Sequence, residues 1–286
     1  MIGLPMITGA TAADEPAAAD ARKTRGAGGD AAAAGTVFVT VKRQAGPDAR
    51  PYTDTFVIPY KANMNVISVL MEIQRNPVND KGQKVAPPVW EQACLEEVCG
   101  SCTMRVNGRV RQACSALIDR VAPLVNGTSR LTLEPMSKFP VVRDLVVDRA
   151  RMFENLKKIQ GWIPIDGTYD LGPGPRLSQK EQELAYDFSR CMTCGCCLEA
   201  CPQVNEHSGF IGPAAIGQVR LFNSHPTGKM NADDRLDALA APDGIASCGN
   251  AQNCVQVCPK EIPLTRAIAE LNRDTTVYRI KKWLGK

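Results

Sequence analysis

No run of about 18 apolar residues occurs in the sequence, so no segment is expected to cross a bilayer as a helix. A strong excess of one charge is also missing. The 34 Lys and Arg residues against 30 Asp and Glu leave a formal charge of +4, too small and too scattered to make nucleic acid the main partner. A secretory signal is not visible either, because Pro5, Asp14, Glu15 and Pro16 interrupt the opening stretch before a basic region and apolar core can form. The acidic residues there also disfavour a mitochondrial presequence. Residues 1–35 therefore read as a solvated, disordered Ala/Gly-rich tail. The sequence has no nucleophile–base pair, no phosphate loop and no flavin fingerprint, and no residue is assigned a catalytic role.

Cysteine, in contrast, is abundant. A chain of 286 residues has room for two domains, and it carries 12 cysteines. A disulfide framework suits shorter chains that bear a secretory signal, so clustered metal ligation in a reducing compartment is the leading idea. Two textures support two domains. In the first, Val37, Val39 and Val41 alternate with Phe38, Thr40 and Lys42, and "DTFVIPY" follows a turn, which predicts a hairpin. "NVISVLMEIQRNP" places Val66, Val69, Leu70 and Ile73 on one helical face and stops at Pro77. Asn107-Gly108 between two short β-prone runs predicts a second hairpin, and "SRLTLEPM" a further strand. Residues 36–142 thus read as a small mixed sheet with one helix and a cysteine-bearing loop. Residues 143–286 read as helical. "RDLVVDRARMFENLKKIQ" spaces Leu145, Arg149, Met152, Phe153 and Leu156 helically, and a Gly/Pro-rich connector follows. Ser178 and Glu181 have capping-box spacing, and "PAAIGQVRLFN", "NADDRLDALAA" and "PLTRAIAELNR" are expected helices.

The cysteines fall into three constellations. Cys94, Cys99 and Cys102, with Cys114 beyond the Asn107-Gly108 hairpin, have the plant-type [2Fe-2S] spacing C-x4-C-x2-C followed by a distant fourth ligand. Small residues Gly100 and Ser101 leave room for backbone amides to approach sulfur. Zinc ligands usually come as C-x2-4-C pairs, which fits this trio poorly. Cys191, Cys194, Cys197 and Cys201-Pro202 form the C-x2-C-x2-C-x3-C-P run of bacterial ferredoxins, whose fourth cysteine ligates the other cluster. The partner run is Cys248, Ala251, Cys254 and Cys258-Pro259, with alanine on the second beat. Exchange of the last ligands assigns Cys191, Cys194, Cys197 and Cys258 to a [4Fe-4S] centre. It leaves Cys201, Cys248 and Cys254 for the other. A cubane corner without thiolate readily loses its iron, so [3Fe-4S] is expected there; the rival is a [4Fe-4S] centre with water or another side chain on the fourth iron. Cys196 is left over and is expected to be a buried structural thiol.

Three one-electron centres without a reaction site describe an electron conduit. In "CLEEVCGSCTMRVNGRVRQAC", "CMTCGCCLEACP", "CGNAQNCVQVCPK" and "GFIGPAAI", over residues 36–286, the sequence resembles the iron-sulfur subunit family of succinate dehydrogenase and fumarate reductase. The resemblance implies an α+β protein: a β-grasp, plant-type ferredoxin-like domain joined to an all-α dicluster ferredoxin-like domain. It implies a flavoprotein partner with covalent FAD, a membrane anchor, and electron flow from FAD through [2Fe-2S], [4Fe-4S] and [3Fe-4S] to quinone. Fumarate reduction runs the same conduit backwards and is the competing direction. The iron-sulfur subunit of a heterodisulfide or glycolate-type oxidoreductase is a rival within the wider superfamily, but such subunits generally lack this triple order or carry extra cysteine-rich modules. A free ferredoxin-like carrier or a zinc-binding adaptor is a rival of a different class. Ubiquinone-reducing members use a tryptophan shortly after the first Cys-Pro and a histidine after the first cysteine of the second run. Here "CPQVNEHSG" has no tryptophan and Gly249 follows Cys248. "CMTCGCCLEACPQVN" and "RLFNSHPTG" look more like the menaquinone-linked bacterial type with a dihaem anchor, placing the subunit peripherally on the cytoplasmic face of the inner membrane. Plant-type [2Fe-2S] centres lie near about −400 mV, too reducing for succinate to fill, so hydrogen bonds and local charge are expected to raise the potential. His207 and His225 read as surface residues or as groups facing the anchor, with no role assigned. In "VYRIKKWLGK", Val277, Ile280, Trp283 and Leu284 stand against Lys281, Lys282 and Lys286, which suits either docking on anionic headgroups or ordinary packing.

Overall fold

The computed structural model describes residues 35–163 and 176–285. The predicted tail up to residue 34 and most of the Gly/Pro connector lie outside the described residues. Gly35, the last residue assigned to that tail, is buried, and its carbonyl accepts the Tyr60 amide at 2.7 Å.

The first hairpin pairs β1 (Thr36–Arg43) with β2 (Tyr52–Pro59) antiparallel, Val39 opposite Phe56. The alternation buries Val37, Val39 and Val41 completely, as period-two patterning demands when one face meets a core. Helix α1 (Val66–Arg75) buries the predicted Val66, Val69, Leu70 and Ile73, together with Ile67. Asn65 caps it by accepting the Ser68 amide at 2.8 Å, and it ends before Pro77 as expected. Strands β3 (Thr103–Val106) and β4 (Arg109–Gln112) flank Asn107 and Gly108, whose φ values of 49° and 77° are both left-handed, as a type I′ turn requires. After the short α2 (Ile118–Val121), β5 (Thr128–Glu134) inserts parallel to β1, giving the order β2-β1-β5-β3-β4. This is the mixed sheet with one long helix that the sequence implied.

One expectation fails. The stretch from Arg143 to Arg149 is not helical: β6 (Val141–Arg143) and β7 (Val146–Val147) form a tight hairpin, and α3 begins only at Ala150 (Ala150–Lys158). The cause is tertiary. Asp144 turns the chain at φ 48°, and its buried carboxylate accepts Arg43 Nε at 3.0 Å and the amides of Gln44 and Val89, both at 3.0 Å. Hydrogen bonds of this kind to a buried carboxylate outweigh a helical preference of a few tenths of a kcal/mol per residue. Leu145 consequently packs in the sheet core, Met152 is buried in the helical one, and Phe153 is exposed.

The remaining helices are α4 (Gln179–Ser189), α5 (Cys196–Ala200), α6 (Gly212–Ser224), α7 (Ala232–Ala240), α8 (Asn253–Gln256) and α9 (Leu264–Trp283). The capping box forms: the Glu181 amide donates to Ser178 Oγ at 3.3 Å and the Ser178 amide to Glu181 Oε2 at 3.2 Å. Helix α9 runs ten residues beyond the predicted Arg273, because nothing before Gly285 breaks it. Two hydrophobic cores result. The helical core takes Met136, Phe139 and Val147 from the chain around β6, so the sequence-based division at residues 142 and 143 falls within a hairpin that both cores share. Glu199 of α5 fixes this seam by accepting the amides of Ser137 at 2.9 Å and Lys138 at 3.0 Å. Among the described residues no helix is long and apolar enough to cross a membrane.

Candidate iron-sulfur centres

The loop from Cys94 to Cys102 curls because Leu95, Glu97 and Gly100 take left-handed φ values of 60°, 56° and 77°. These reversals turn amides toward sulfur. The Glu96 and Val98 amides lie 3.4 Å from Cys94 Sγ, and the Ser101 amide 3.5 Å from Cys99 Sγ. The Cys99 thiol is lowered to about 6, first by the Ser101 side chain and then by backbone donors. The fourth cysteine arrives as the hairpin predicts. The Ala113 amide donates to the Cys102 carbonyl at 3.1 Å, and the Cys102 and Cys114 side chains are within hydrogen-bonding reach. Asn65 Nδ2 donates to the Cys114 carbonyl at 2.8 Å, tying this cysteine to the start of α1.

The helical half brings the other cysteines to two cavities. One is lined by Cys191, Cys194, Cys197 and Cys258 together with Cys196, the other by Cys201, Cys248 and Cys254 with Ala251 on its wall. The backbone repeats with the sequence. Thr193 (52°) and Gly195 (90°) bracket Cys194 in left-handed conformations, while Asn250 (52°) and Gln252 (62°) bracket Ala251. Helices α5 and α8 then start at the same distance from the first cysteine of each run.

The donor chemistry fits iron-sulfur clusters at all three places. Burial pushes the Cys102 thiol up to about 12 and Cys254 to about 11, and it pushes Cys197 well up, reinforced by Cys194, Cys191 and Cys258. Buried thiols crowded without a counter-charge are costly as thiolates unless a cationic metal core neutralises them. Among the described residues no three His, Cys, Asp or Glu side chains are grouped so as to hold a single metal ion; the thiols are spread around loops and cavities instead.

Cys196 is fully buried and packs beside Gln112, whose Nε2 lies 3.6 Å from its sulfur. His207 and His225 are both exposed, and His225 Nδ1 accepts the amides of Thr227 at 3.2 Å and Gly228 at 3.3 Å. Of the two readings for the C-terminal segment, packing does not hold: Val277, Ile280 and Trp283 are 45%, 53% and 84% exposed. Two residues that touch the first cysteine loop were not foreseen: Gln112, whose Oε1 accepts from Cys102 Sγ at 3.5 Å, and Arg149, which donates to the Gly100 and Ser101 carbonyls. No sequence signal marked them, since Arg149 entered only as part of a helical period and Gln112 as a strand residue.

Comparison with known proteins agrees with this geometry. Residues 38–154 match the model of a 2Fe-2S iron-sulfur cluster binding domain, and residues 187–262 that of a 4Fe-4S dicluster domain. The succinate dehydrogenase iron-sulfur subunit of Bacillus subtilis is 58% identical over 87% of this chain and 96% of its own length. The fumarate reductase iron-sulfur subunit of Escherichia coli is 32% identical over 82% of this chain and 92% of its own. Among solved structures, a chain of the Mycobacterium smegmatis Sdh1 complex in the apo form shares the fold, with a TM-score of 0.68 at 22% identity, covering 85% of this chain and 96% of that one. With its three cysteine constellations seated on a ferredoxin-like sheet and a dicluster helical half, the chain belongs to the iron-sulfur subunit family of succinate dehydrogenase and fumarate reductase.

Proposed function

We propose that this chain is the electron-carrying subunit of a succinate:quinone oxidoreductase. In it Cys94, Cys99, Cys102 and Cys114 hold [2Fe-2S], Cys191, Cys194, Cys197 and Cys258 hold [4Fe-4S], and Cys201, Cys248 and Cys254 hold [3Fe-4S]. When bound, these groups supply one-electron carriers between the FAD of a flavoprotein subunit and a quinone, menaquinone by preference, at a dihaem membrane anchor. The chain's own residues hold the thiolates, shield them from water and aim amides at sulfur, while substrate oxidation belongs to the flavoprotein. The much higher identity to the Bacillus subtilis succinate dehydrogenase subunit favours succinate oxidation over fumarate reduction.

The observation that carries the ligand assignment is the matched backbone around Cys194 and Ala251. The second run folds as a cluster-binding turn, yet it presents a methyl group where its twin presents a thiol. Cys258 lines the cavity of the first run and Cys201 that of the second, which supports the exchange. Electron paramagnetic resonance of the oxidised protein tests this reading: a [3Fe-4S] signal is expected, and its absence overturns the three-iron assignment. Quinone and haem extracted from the purified complex test the anchor; ubiquinone or a haem-free anchor would refute the menaquinone-linked, dihaem reading.

The exposed stripe of Val277, Ile280, Trp283 and Leu284 ends a helix whose last acidic residue is Asp274, with Arg279 and Lys281 beside it. An apolar, tryptophan-bearing and basic helix end suits the anionic headgroup surface at the cytoplasmic face of the membrane.

A further inference from the structure

The first cysteine loop and the first helical run meet backbone to backbone. A Cβ on Gly100 would lie 2.8 Å from Cys194 Cα and 2.9 Å from Cys194 Cβ, so the loops touch at a point only glycine permits. Arg149, at the N-cap of α3, spans that seam. Its Nη1 donates to the Gly100 carbonyl at 2.8 Å and its Nη2 to the Ser101 carbonyl at 2.6 Å. The Gly100 carbonyl belongs to the same peptide unit as the Ser101 amide, which donates to Cys99 Sγ at 3.5 Å. A cation bound to the oxygen of a peptide polarises its N–H, and hydrogen bonds in such a chain strengthen one another. The guanidinium therefore acts on the Cys99 sulfur through one peptide bond. Its side chain is 16% exposed, its Nε is buried without a partner, and its nearest acidic neighbour, Glu91, is 3.5 Å away and half-exposed. This long ion pair to a half-exposed carboxylate only partly offsets the positive charge at the junction.

We propose that Arg149 is the positioning residue that joins the first cysteine loop to the Cys191–Cys197 run and raises the reduction potential at the first loop by polarising the Gly100–Ser101 peptide toward Cys99. The added electron makes a thiolate-held centre more negative, and a strengthened N–H donor beside a cation favours that form. This accounts for part of the potential shift a succinate-fed plant-type centre requires. One electron leaves the first loop's centre and one enters the next; the guanidinium keeps its proton throughout, so no proton transfer is coupled at this residue.

The inference rests on the proposed ligand assignment, and the experiment separates the two. R149Q and R149K are prepared in the assembled complex, iron and sulfide are quantified, and each centre's midpoint potential is read by titration monitored by electron paramagnetic resonance. In R149Q, which removes charge and fork, the [2Fe-2S] potential is expected to fall with cluster content retained. In R149K, a point charge without the planar fork, it is expected to lie between R149Q and native. A native [2Fe-2S] potential in both variants overturns the proposal, and if R149Q does not assemble, a native potential in R149K alone does so. Absence of any [2Fe-2S] signal from the native complex would instead sink the ligand assignment.

Discussion

Replacing Gly100 with alanine perturbs the seam at its tightest point. Two costs add. At φ 77° a side chain strains the backbone, typically by about 1–3 kcal/mol. The new methyl would also sit 2.8 Å from Cys194 Cα, against about 3.5–4.0 Å for a relaxed carbon contact. The obstructing atom is backbone held in the loop before α5, so it cannot rotate away, and overpacking of this kind costs about another 1–3 kcal/mol. Against a typical total stability of about 5–15 kcal/mol, G100A is expected to be visibly destabilised, with the two cysteine loops pushed apart. Denaturant unfolding of the cluster-loaded subunit measures the first effect. The second is read as a weakened magnetic interaction between the first two centres in the reduced protein. A variant whose unfolding midpoint and spin interaction both match the native protein would refute the close contact between the loops.

Changing Ala251 to cysteine is expected to replace the three-iron signal of the oxidised protein by a four-iron centre of lower potential; an unchanged spectrum would mean the vacant corner lies elsewhere. Serine at Cys258 should damage the centre held by Cys191, Cys194 and Cys197 while sparing the one at Cys248 and Cys254, and the reverse pattern refutes the ligand exchange. Arg43→Met strands the buried Asp144 carboxylate, with both side chains of the pair only 2% exposed, and should cost about 3–5 kcal/mol by urea unfolding; a loss under about 1 kcal/mol would contradict the pinning of the β6–β7 turn. W283A is expected to weaken co-sedimentation of the full chain with phosphatidylglycerol vesicles several-fold while leaving its slight binding to phosphatidylcholine unchanged; equal binding of variant and native protein removes the headgroup surface as the partner of α9.

Cysteine spacing alone determined three constellations, their order and the odd alanine, because thiolate ligation imposes short, fixed intervals on a chain. Local chemistry likewise settled the Asn107-Gly108 turn, the Ser178 capping box and the end of α1 before Pro77, each a matter of a few adjacent residues. Residues 143–149 went the other way. Their helical period is real, but Arg43, a hundred residues earlier, supplies a buried charge that Asp144 satisfies only as a turn. The Cys-Pro runs already group Cys258 with Cys191, but only tertiary structure set Arg149 on the Gly100–Ser101 peptide, since that contact depends on the distance between segments far apart in sequence. Spacing along the chain encodes which atoms bind metal. How strongly each centre holds an electron depends on the charges and amides that folding brings around it, and those leave no periodic trace.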